Sequence, residues 1–436
     1  MAFNTLIIKE KVTLFWFRRD LRFEDNHALW KAQQSEYPVL PVFIFDTNII
    51  EELNEADSRV TFIHNLLTQL SNSLKSHSKS LYCKVGDPIK VWEEIVKTFD
   101  VQTVFANEDY EPYAITRDKN VKQLLAKHDV NFTLLKDQVI FEKNEVLKAD
   151  NTPYTVYTPY KNKWLENFNT KHLNSYASNS ETNFLDSDFK LPSLSELGFK
   201  RSSITVKDFD LESLEDYKKV RDFPALDQTS HLSPHLRFGT ISIRKVIKKT
   251  LKHQAFLNEL IWREFFMQIL FHFPKVVDSN FKSKYDNIKW RNNTEEFEKW
   301  KKGQTGYPMV DAGMRELNAT GYMHNRVRMV VAGFLCKHLL IDWKWGEAYF
   351  AEKLLDYELS SNNGNWQWAA GTGCDAAPYF RVFNPTTQIK KFDPKLTYIN
   401  SWIPELNSLE YPPPMVEHKD ARERAIETYK VGLNNT

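Results

Sequence analysis

The sequence is poor in cysteine, the residue that cross-links small secreted folds and binds metal in many others. Only three cysteines, Cys83, Cys336 and Cys374, occur among 436 residues, and no two have the short spacing of a zinc or redox pair. An odd, sparse set argues against a disulfide scaffold and for a reducing compartment. Nothing approaches the roughly 18 apolar residues in a row that cross a membrane, and MAFNTLIIKEKV lacks a cleavage signature. We therefore expect a cytoplasmic protein without a membrane span or a metal site.

The sequence also lacks an excess of positive or negative charge. Lys and Arg total 58 against 57 Asp and Glu, so the net charge of +1 does not itself indicate nucleic acid as a partner. A basic face can still exist within a balanced total. Aromatic residues, in contrast, are abundant, with 12 Trp, 18 Tyr and 30 Phe. A large aromatic core explains most of them, although such rings also stack on flat ligands.

The first third of the chain alternates short β-rich runs with amphipathic segments. In the segment 58–75, for example, Leu66, Leu67, Leu70 and Leu74 recur at helical spacing. Strands alternating with helices predict a parallel, doubly wound sheet. No G-x-G-x-x-G follows the first strand, so the standard dinucleotide fingerprint is missing. The predicted strands are VTLFWF (12–17), VLPVFIF (39–45), SLYCKV (80–85), TVFAN (103–107) and NFTLL (131–135).

The remainder of the chain has a different character. After the α/β part comes the polar stretch NSYASNSETNFLDSD, which is typical of a surface linker. From about residue 206 strand signals nearly vanish and helical patterns dominate. We expect an α/β domain at 10–137, a long connection at 138–205, and an all-helical domain at 206–436.

One helical segment, NELIWREFF at 258–266, combines acid, base and aromatic residues. Glu259, Trp262, Arg263 and Phe266 are spaced i, i+3, i+4 and i+7, which places them on one helix face. A solvated Glu–Arg pair is the simpler interpretation. It does not explain why Trp and Phe share the face, so a functional role remains an equal alternative.

Three further segments carry unusual residue choices. DQTSHLSPH (227–235) supplies hydroxyls before a helix start, which suits either a phosphate or a simple N-cap. In GYMHNRVRM, Arg328 precedes apolar sequence and needs an acidic partner, which Asp356 or Glu358 can provide. Trp366 and Trp368 flank one Gln, as a core pair or as the lining of a polar cavity.

Together these segments resemble the photolyase/cryptochrome flavoproteins, and most of all the class I cyclobutane pyrimidine dimer photolyases. The similarity runs through nearly the whole chain and in family order. The matching strings are FWFRRDLRFEDNHAL, RDFPALDQTSHLSPHLRFGTIS, ELIWREF, TGYPMVDAGMREL, MHNRVRM and NNGNWQWAAGTGCDAAPYFRVFNP. The family fold, an α/β domain joined to a helical FAD-binding domain, matches the two halves predicted above.

The resemblance implies FAD, active as FADH⁻, as the cofactor. Arg328 and Asp356 then form a buried ion pair beside the flavin ring, and Asn362 faces flavin N5, where a neutral amide satisfies a protonated nitrogen without adding charge. Glu358 stands where many relatives have Asp. The residues implied in cofactor binding are Tyr217, Thr229, Ser230, His231, Leu232, Ser233, Phe256, Arg263, Arg328, Asp356, Tyr357, Glu358 and Asn362.

The same resemblance implies a substrate, a cyclobutane dimer in ultraviolet-damaged DNA. Five positions, Glu259, Trp262, Asn325, Met329 and Trp368, match the catalytic pocket of dimer-specific enzymes. A covalently joined pyrimidine pair stacks poorly, so flipping it out costs little. Two indoles can grip it, and a protonated Glu259 would stabilise the dimer radical anion. Light then drives an electron from the cofactor to the dimer, whose ring splits before the electron returns.

Further roles are also carried over from the family. Trp366, Trp343 and Trp290 match its electron-relay tryptophans, for which core packing is an adequate alternative explanation. The implied DNA contacts are Arg221, Glu259, Trp262, Asn325, Arg326, Arg381 and Gln388. Tyr110 and Glu111 match an antenna site, whose chromophore is methenyltetrahydrofolate, deazaflavin or FMN. We expect a monomer without an obligate protein partner.

Two other functions compete with repair. A cryptochrome-like blue-light receptor is the first, although such receptors commonly carry a C-terminal tail for which about 50 residues after FNP leave little room. A flavoprotein that binds DNA without repairing it is the second. It would not need all five pocket residues, so the sequence favours repair.

Overall fold

The protein forms two compact units, each built from three stretches of chain. The computed structural model describes residues 10–434, so most of the N-terminal segment on which the absence of a leader was predicted lies outside the described residues. The first unit comprises residues up to 142, residues 168–206 and residues 233–249. The second comprises residues 143–167, residues 207–232 and the chain from 250 onward.

The elements alternate in the first unit and are helical in the second. The strands are β1 Lys11–Phe17, β2 Val39–Asp46, β3 Tyr82–Gly86, β4 Asp100–Asn107 and β5 Asn131–Leu135. The helices are α1 His27–Gln33, α2 Thr47–Ile50, α3 Ser58–Lys75, α4 Pro88–Thr98, α5 Pro112–Ala126, α6 Tyr157–Asn167, α7 Tyr217–Val220, α8 Ser233–Arg237, α9 Ile243–Thr250, α10 Gln254–His272, α11 Thr294–Lys301, α12 Pro308–Thr320, α13 Asn325–Gly333, α14 Trp343–Lys353, α15 Leu359–Ala370, α16 Pro385–Phe392, α17 Thr397–Trp402 and α18 His418–Asn434. Short 3₁₀ turns lie at Thr170–Leu173, Pro224–Leu226, Pro274–Val277 and Ser283–Tyr285, and a π-helical turn at Phe334–His338.

The sheet of the first unit is parallel and doubly wound, as predicted. Its strand order is β3-β2-β1-β4-β5, with every neighbouring pair parallel. Alternate residues of β1 enter different cores: Leu14 and Trp16 pack on one side, Phe15 and Phe17 on the other. Such two-sided burial explains the continuous apolar run in the sequence, because helices cover both faces.

Two segments belong to the first unit although the sequence predicted one as a linker and the other as part of the helical domain. The backbone N–H of Val39 donates to Asn183 O over 2.7 Å, so the polar stretch pairs with the start of β2. In the segment 233–249, Arg244 binds Asp25 at 3.1 Å and Asp137 at 2.8 Å. Buried charges need such partners, and sequence spacing did not show that they come from over 100 residues away.

The second unit is all-helical around one large core. That core includes the buried side chains of Trp300, Phe334, Trp343, Phe350 and Trp366. No helix within residues 10–434 is long and apolar enough to span a membrane.

Candidate functional site

Helix α10 presents one partly exposed face between buried ones. Apolar residues occur on all its sides, so most of the helix is buried. Glu259, Trp262 and Arg263 are among its half-buried residues, and their spacing puts them on the face predicted from the sequence. Phe256 is buried instead and meets the ring of Tyr217 edge-on at 5.0 Å.

A hollow between α10 and α15 is bordered by both predicted indoles. Trp262 comes from α10 and Trp368 from α15. A Cβ atom at Gly364 would overlap the ring of Phe266, so only glycine lets the two helices approach this closely. The predicted Asn325 and Met329 lie on α13 and do not border this hollow. Its complete lining is Trp262, Phe266, Gly364, Trp368, Gly373, Cys374, Asp375 and Ala376.

Glu259 is paired with Arg221 rather than with Arg263. The Arg221 guanidinium donates to the Glu259 carboxylate and lies over the Tyr217 ring, 5.6 Å from its centroid. Burial raises the pKa of Glu259, and the positive charge of Arg221 opposes that rise. Arg221, a predicted DNA-contacting residue, thus opposes the rise that burial causes in the pKa of Glu259, a predicted catalytic residue.

Arg328 finds the acidic partner that the sequence argument required. Its two terminal nitrogens bind the two carboxylate oxygens of Asp356 at 3.2 and 2.9 Å, and its Nε donates to Met323 O over 2.7 Å. Asp356 is only 7% exposed and Arg328 26%. This fork-to-fork geometry fixes the orientation of both side chains.

Arg263 binds Glu358, the residue that departs from the family pattern. The ion pair spans 3.2 Å, and the Glu358 side chain is buried. The longer glutamate therefore still reaches the arginine. Because Glu358 immediately precedes α15, this pair ties α10 to the start of the helix that carries Trp368.

Asn362 is oriented by one acidic neighbour. Its amide nitrogen donates to the backbone oxygen of Glu347 over 3.0 Å and to the Glu347 carboxylate over 2.8 Å. Burial raises the pKa of Glu347. The amide oxygen of Asn362 is thereby left as the group that can accept from a ligand. Tyr357 packs nearby against the large core.

The loop before α8 has an unusual backbone. Asp227 and His231 adopt positive φ angles of 47° and 49°, and the His231 Nε2 lies 3.0 Å from the Asp227 carboxylate. Thr229 shares a 3.0 Å hydrogen bond with the Tyr322 hydroxyl, and Leu232 is buried. Ser230 belongs to the same loop, whereas Ser233, also predicted to bind the cofactor, begins α8 and belongs to the first unit.

The three predicted relay tryptophans share one core. Trp366 and Trp343 are buried members of the large cluster, and Trp290 packs against it. The indole nitrogen of Trp343 donates to Asn280 over 2.9 Å. Trp290 meets the Tyr429 ring edge-on at 5.9 Å. Core packing therefore remains a sufficient explanation for each of them.

The predicted DNA-contacting residues differ in their ion pairing and in their exposure to solvent. Arg326 pairs with Asp222 at 2.7 Å and lies 4.3 Å from the centroid of Phe392. Arg381 and Asn325 are exposed, whereas Gln388 and Met329 are half-buried. Arg381 is therefore the predicted phosphate contact most open to solvent.

The predicted antenna residues are tied to protein groups of the first unit. The Tyr110 hydroxyl donates to Glu142 over 2.7 Å, and Tyr110 is buried. Glu111 accepts from Arg19 at 3.1 Å and from Arg237 at 3.0 Å. These contacts leave the proposed chromophore contact untested.

Sequence reasoning missed one aromatic residue at the site. Tyr157, the first residue of α6, stacks on Trp262 with ring centroids 3.6 Å apart and planes 8° apart. The stretch TPYTVYTPYKNKW carried the signal, since aromatic residues repeat there at helical spacing. Nothing in that spacing, however, indicated a partner 105 residues later.

Similarity to known proteins covers nearly the whole chain. Residues 13–177 match the family model described as DNA photolyase, and residues 256–410 match the FAD binding domain of DNA photolyase. A deoxyribodipyrimidine photo-lyase of Halobacterium salinarum is 37% identical over 96% of this chain and 98% of its own. A bacterial class III photolyase from Agrobacterium tumefaciens superposes with a TM-score of 0.88 at 34% identity, covering both chains completely. A cryptochrome from Synechocystis gives a TM-score of 0.86 at 25% identity over 96% of this chain and 99% of that one.

Proposed function

Because the chain belongs to the DNA photolyase family, we propose that it is a deoxyribodipyrimidine photolyase that splits cyclobutane pyrimidine dimers in DNA under light. One observation carries this proposal beyond membership of the family. Trp262 and Trp368 border the same small hollow, so two indoles from different helices lie together where a base can stack on them.

The cofactor of the helical unit is FAD, and several residues fit it. The Ser360 hydroxyl is buried without a hydrogen-bond partner within residues 10–434, and Asn362 two residues later has its amide oxygen available. Thr229 and Ser230 supply hydroxyls and Arg263 a positive charge, a donor set that suits a pyrophosphate. When bound in its reduced form, FAD supplies the electron that light releases.

The side chains of the chain itself bind and orient the lesion. Trp262 and Trp368 stack on the flipped dimer, which excludes water from it. Asn325, which lies outside the lining of the hollow at the start of α13, donates to a base edge that extends beyond the hollow. Glu259, once protonated, donates a hydrogen bond towards the oxygen where negative charge develops. Met329 supplies an apolar contact one helical turn after Asn325.

Partner and location follow from the same assignment. Damaged DNA is the proposed partner, contacted by Arg221, Arg326 and Arg381 through its phosphates. A monomeric, cytoplasmic enzyme of class I remains our prediction. An antenna chromophore bound in the first unit, near Tyr110 and Glu111, is proposed on the same basis.

A repair assay tests the proposal directly. Reduced, FAD-loaded protein and a dimer-containing oligonucleotide are illuminated, and thymine absorbance in the ultraviolet is followed against a dark control. Recovery of absorbance supports repair, and a (6-4) substrate in parallel should remain unchanged. Equal traces in light and dark would reject the proposal.

A blue-light receptor is the second candidate, because a cryptochrome superposes over nearly the whole chain. A receptor changes its flavin state in light without consuming a lesion. Light-driven absorbance changes of the flavin, together with no loss of dimer over many turnovers, would favour it.

A further inference from the structure

Tyr157 closes one face of the Trp262 indole. Its ring is parallel to the indole at 3.6 Å, while Phe265 meets the indole edge-on at 5.6 Å and Phe266 lies tilted at 5.4 Å. Three aromatic rings thus contact Trp262, and Tyr157 is the one that stacks on its face. The indole also borders the hollow that Phe266 and Trp368 line.

Tyr157 is itself fixed at both ends. Its hydroxyl donates to Asn258 O over 2.8 Å, and its backbone N–H donates to the Asp375 carboxylate over 3.0 Å. In an α-helix the Asn258 carbonyl also accepts from the amide four residues later, which is that of Trp262. Tyr157 is only 7% exposed. The ring is therefore attached to the same turn of α10 whose indole it covers, and to the loop that completes the hollow.

We propose that Tyr157 is a positioning residue for lesion recognition: it holds the Trp262 indole in the orientation in which that indole borders the hollow. This inference rests on the proposed function and names the residue that selects the lesion-binding geometry. Tyr157 acts through Trp262 and does not touch the lesion.

The physical reason is the cost of a mobile indole. A Trp side chain free to turn about χ1 and χ2 must be ordered when the lesion binds, and that ordering weakens the affinity. A stacked partner removes the alternatives before binding. Undamaged DNA does not enter the hollow, because its bases remain stacked. Tyr157 should therefore affect selectivity for the lesion rather than affinity for DNA in general.

The test compares substitutions at two neighbouring tyrosines. Dissociation constants are measured in the dark for a dimer-containing oligonucleotide and for its undamaged counterpart. Tyr157→Leu should lower the preference for the lesion about tenfold, equivalent to about 1.4 kcal/mol, while affinity for undamaged DNA is unchanged. Tyr157→Phe retains the ring and should restore the preference. Tyr154→Leu is the control, because the Tyr154 ring contacts Tyr160 at 6.4 Å and not Trp262.

A double-mutant cycle separates positioning from general support of the fold. In a Trp262→Leu background, Tyr157→Leu should cause no further loss of preference for the lesion; additive losses would overturn the proposal. If Tyr157→Leu fails to retain flavin, Tyr157→Met is measured in the same way, and failure of both would show that the residue serves folding instead.

The outcomes distinguish this inference from the proposed function. A parent protein that does not prefer the lesion contradicts the proposed function. A parent that does, with an unaffected Tyr157→Leu variant, contradicts the positioning role alone.

Discussion

Lys337 donates from its side-chain nitrogen to the carbonyl oxygen of Ala370 over 2.6 Å, at the C-terminal end of α15. The Tyr429 hydroxyl donates to the same oxygen over 2.7 Å, and the Lys337 nitrogen lies 3.7 Å from the Tyr429 ring centroid. Lys337 and Tyr429 of α18 therefore both donate to the last carbonyl group of α15, the helix that carries Asn362, Trp366 and Trp368.

This buried lysine should make stability depend on pH. Burial lowers the pKa of Lys337 from 10.5 to about 7. Between those values the unfolded chain binds the extra proton, so stability rises with pH across this window and is lost as the pH falls towards 7. Lys337→Met should flatten the dependence of the melting temperature on pH between about 7 and 10. The exposed Lys344→Met is the control, and equal slopes in both variants would contradict the assignment.

Glu259 should govern the efficiency of splitting. Glu259→Ala removes the proposed hydrogen bond to developing charge, an interaction worth about 1.5–3 kcal/mol, so the splitting rate should fall about tenfold or more and the yield per absorbed photon should fall with it. Flavin should remain bound, because Glu259 pairs with Arg221 and not with the proposed cofactor residues. Loss of flavin from this variant would mean that the residue has been assigned to the wrong ligand.

The Arg221 pair predicts a shift in the pH profile. The positive charge of Arg221 holds the pKa of Glu259 below the value that burial alone would give. Splitting that needs protonated Glu259 declines as the pH rises through its pKa. Arg221→Gln should move that decline to higher pH, measured as repair yield at saturating lesion concentration. An unchanged midpoint would show that Glu259 works in its charged form.

The Arg328–Asp356 pair should be required for a stable, flavin-loaded unit. Asp356→Asn leaves a largely buried arginine without its counter-charge, which typically costs about 3–5 kcal/mol. The ratio of flavin to protein absorbance and the melting temperature should both fall. Glu352→Gln is a matched control, because Glu352 forms an exposed pair with Lys353. Similar losses in the two variants would contradict a special role for Asp356.

Arg381 should contribute to DNA affinity without reading the lesion. The side chain is exposed. Arg381→Gln should weaken binding to damaged and undamaged DNA alike, and lower the slope of log affinity against log salt by about one. A change confined to damaged DNA would place Arg381 in the lesion pocket instead.

Local patterns predicted the elements better than the partnerships. The strand at 131–135 and the helix at 58–75 have the predicted limits, because apolar periodicity reflects burial directly. Glu259 and Arg263 are spaced for an ion pair, yet they bind Arg221 and Glu358. The packing of helices against one another decides which residues on other segments become partners. The spacing of residues along one helix carries no information about that packing. The same applies to Tyr157 on Trp262, and to Arg244 on Asp137.

The absence of a side chain at Gly364 allows α10 and α15 to approach each other closely, and a methyl group added there would hold them apart. Since a side chain there would collide with Phe266, Gly364→Ala must push α10 away from α15 or turn the phenyl ring. Moving the helices apart alters the separation of the two indoles, one on each helix, whereas turning the ring changes the wall of the hollow that Phe266 lines. The spacing of the two helices that carry the indoles therefore depends on a position without a side chain, which makes Gly364 the position to vary when that spacing is to be changed.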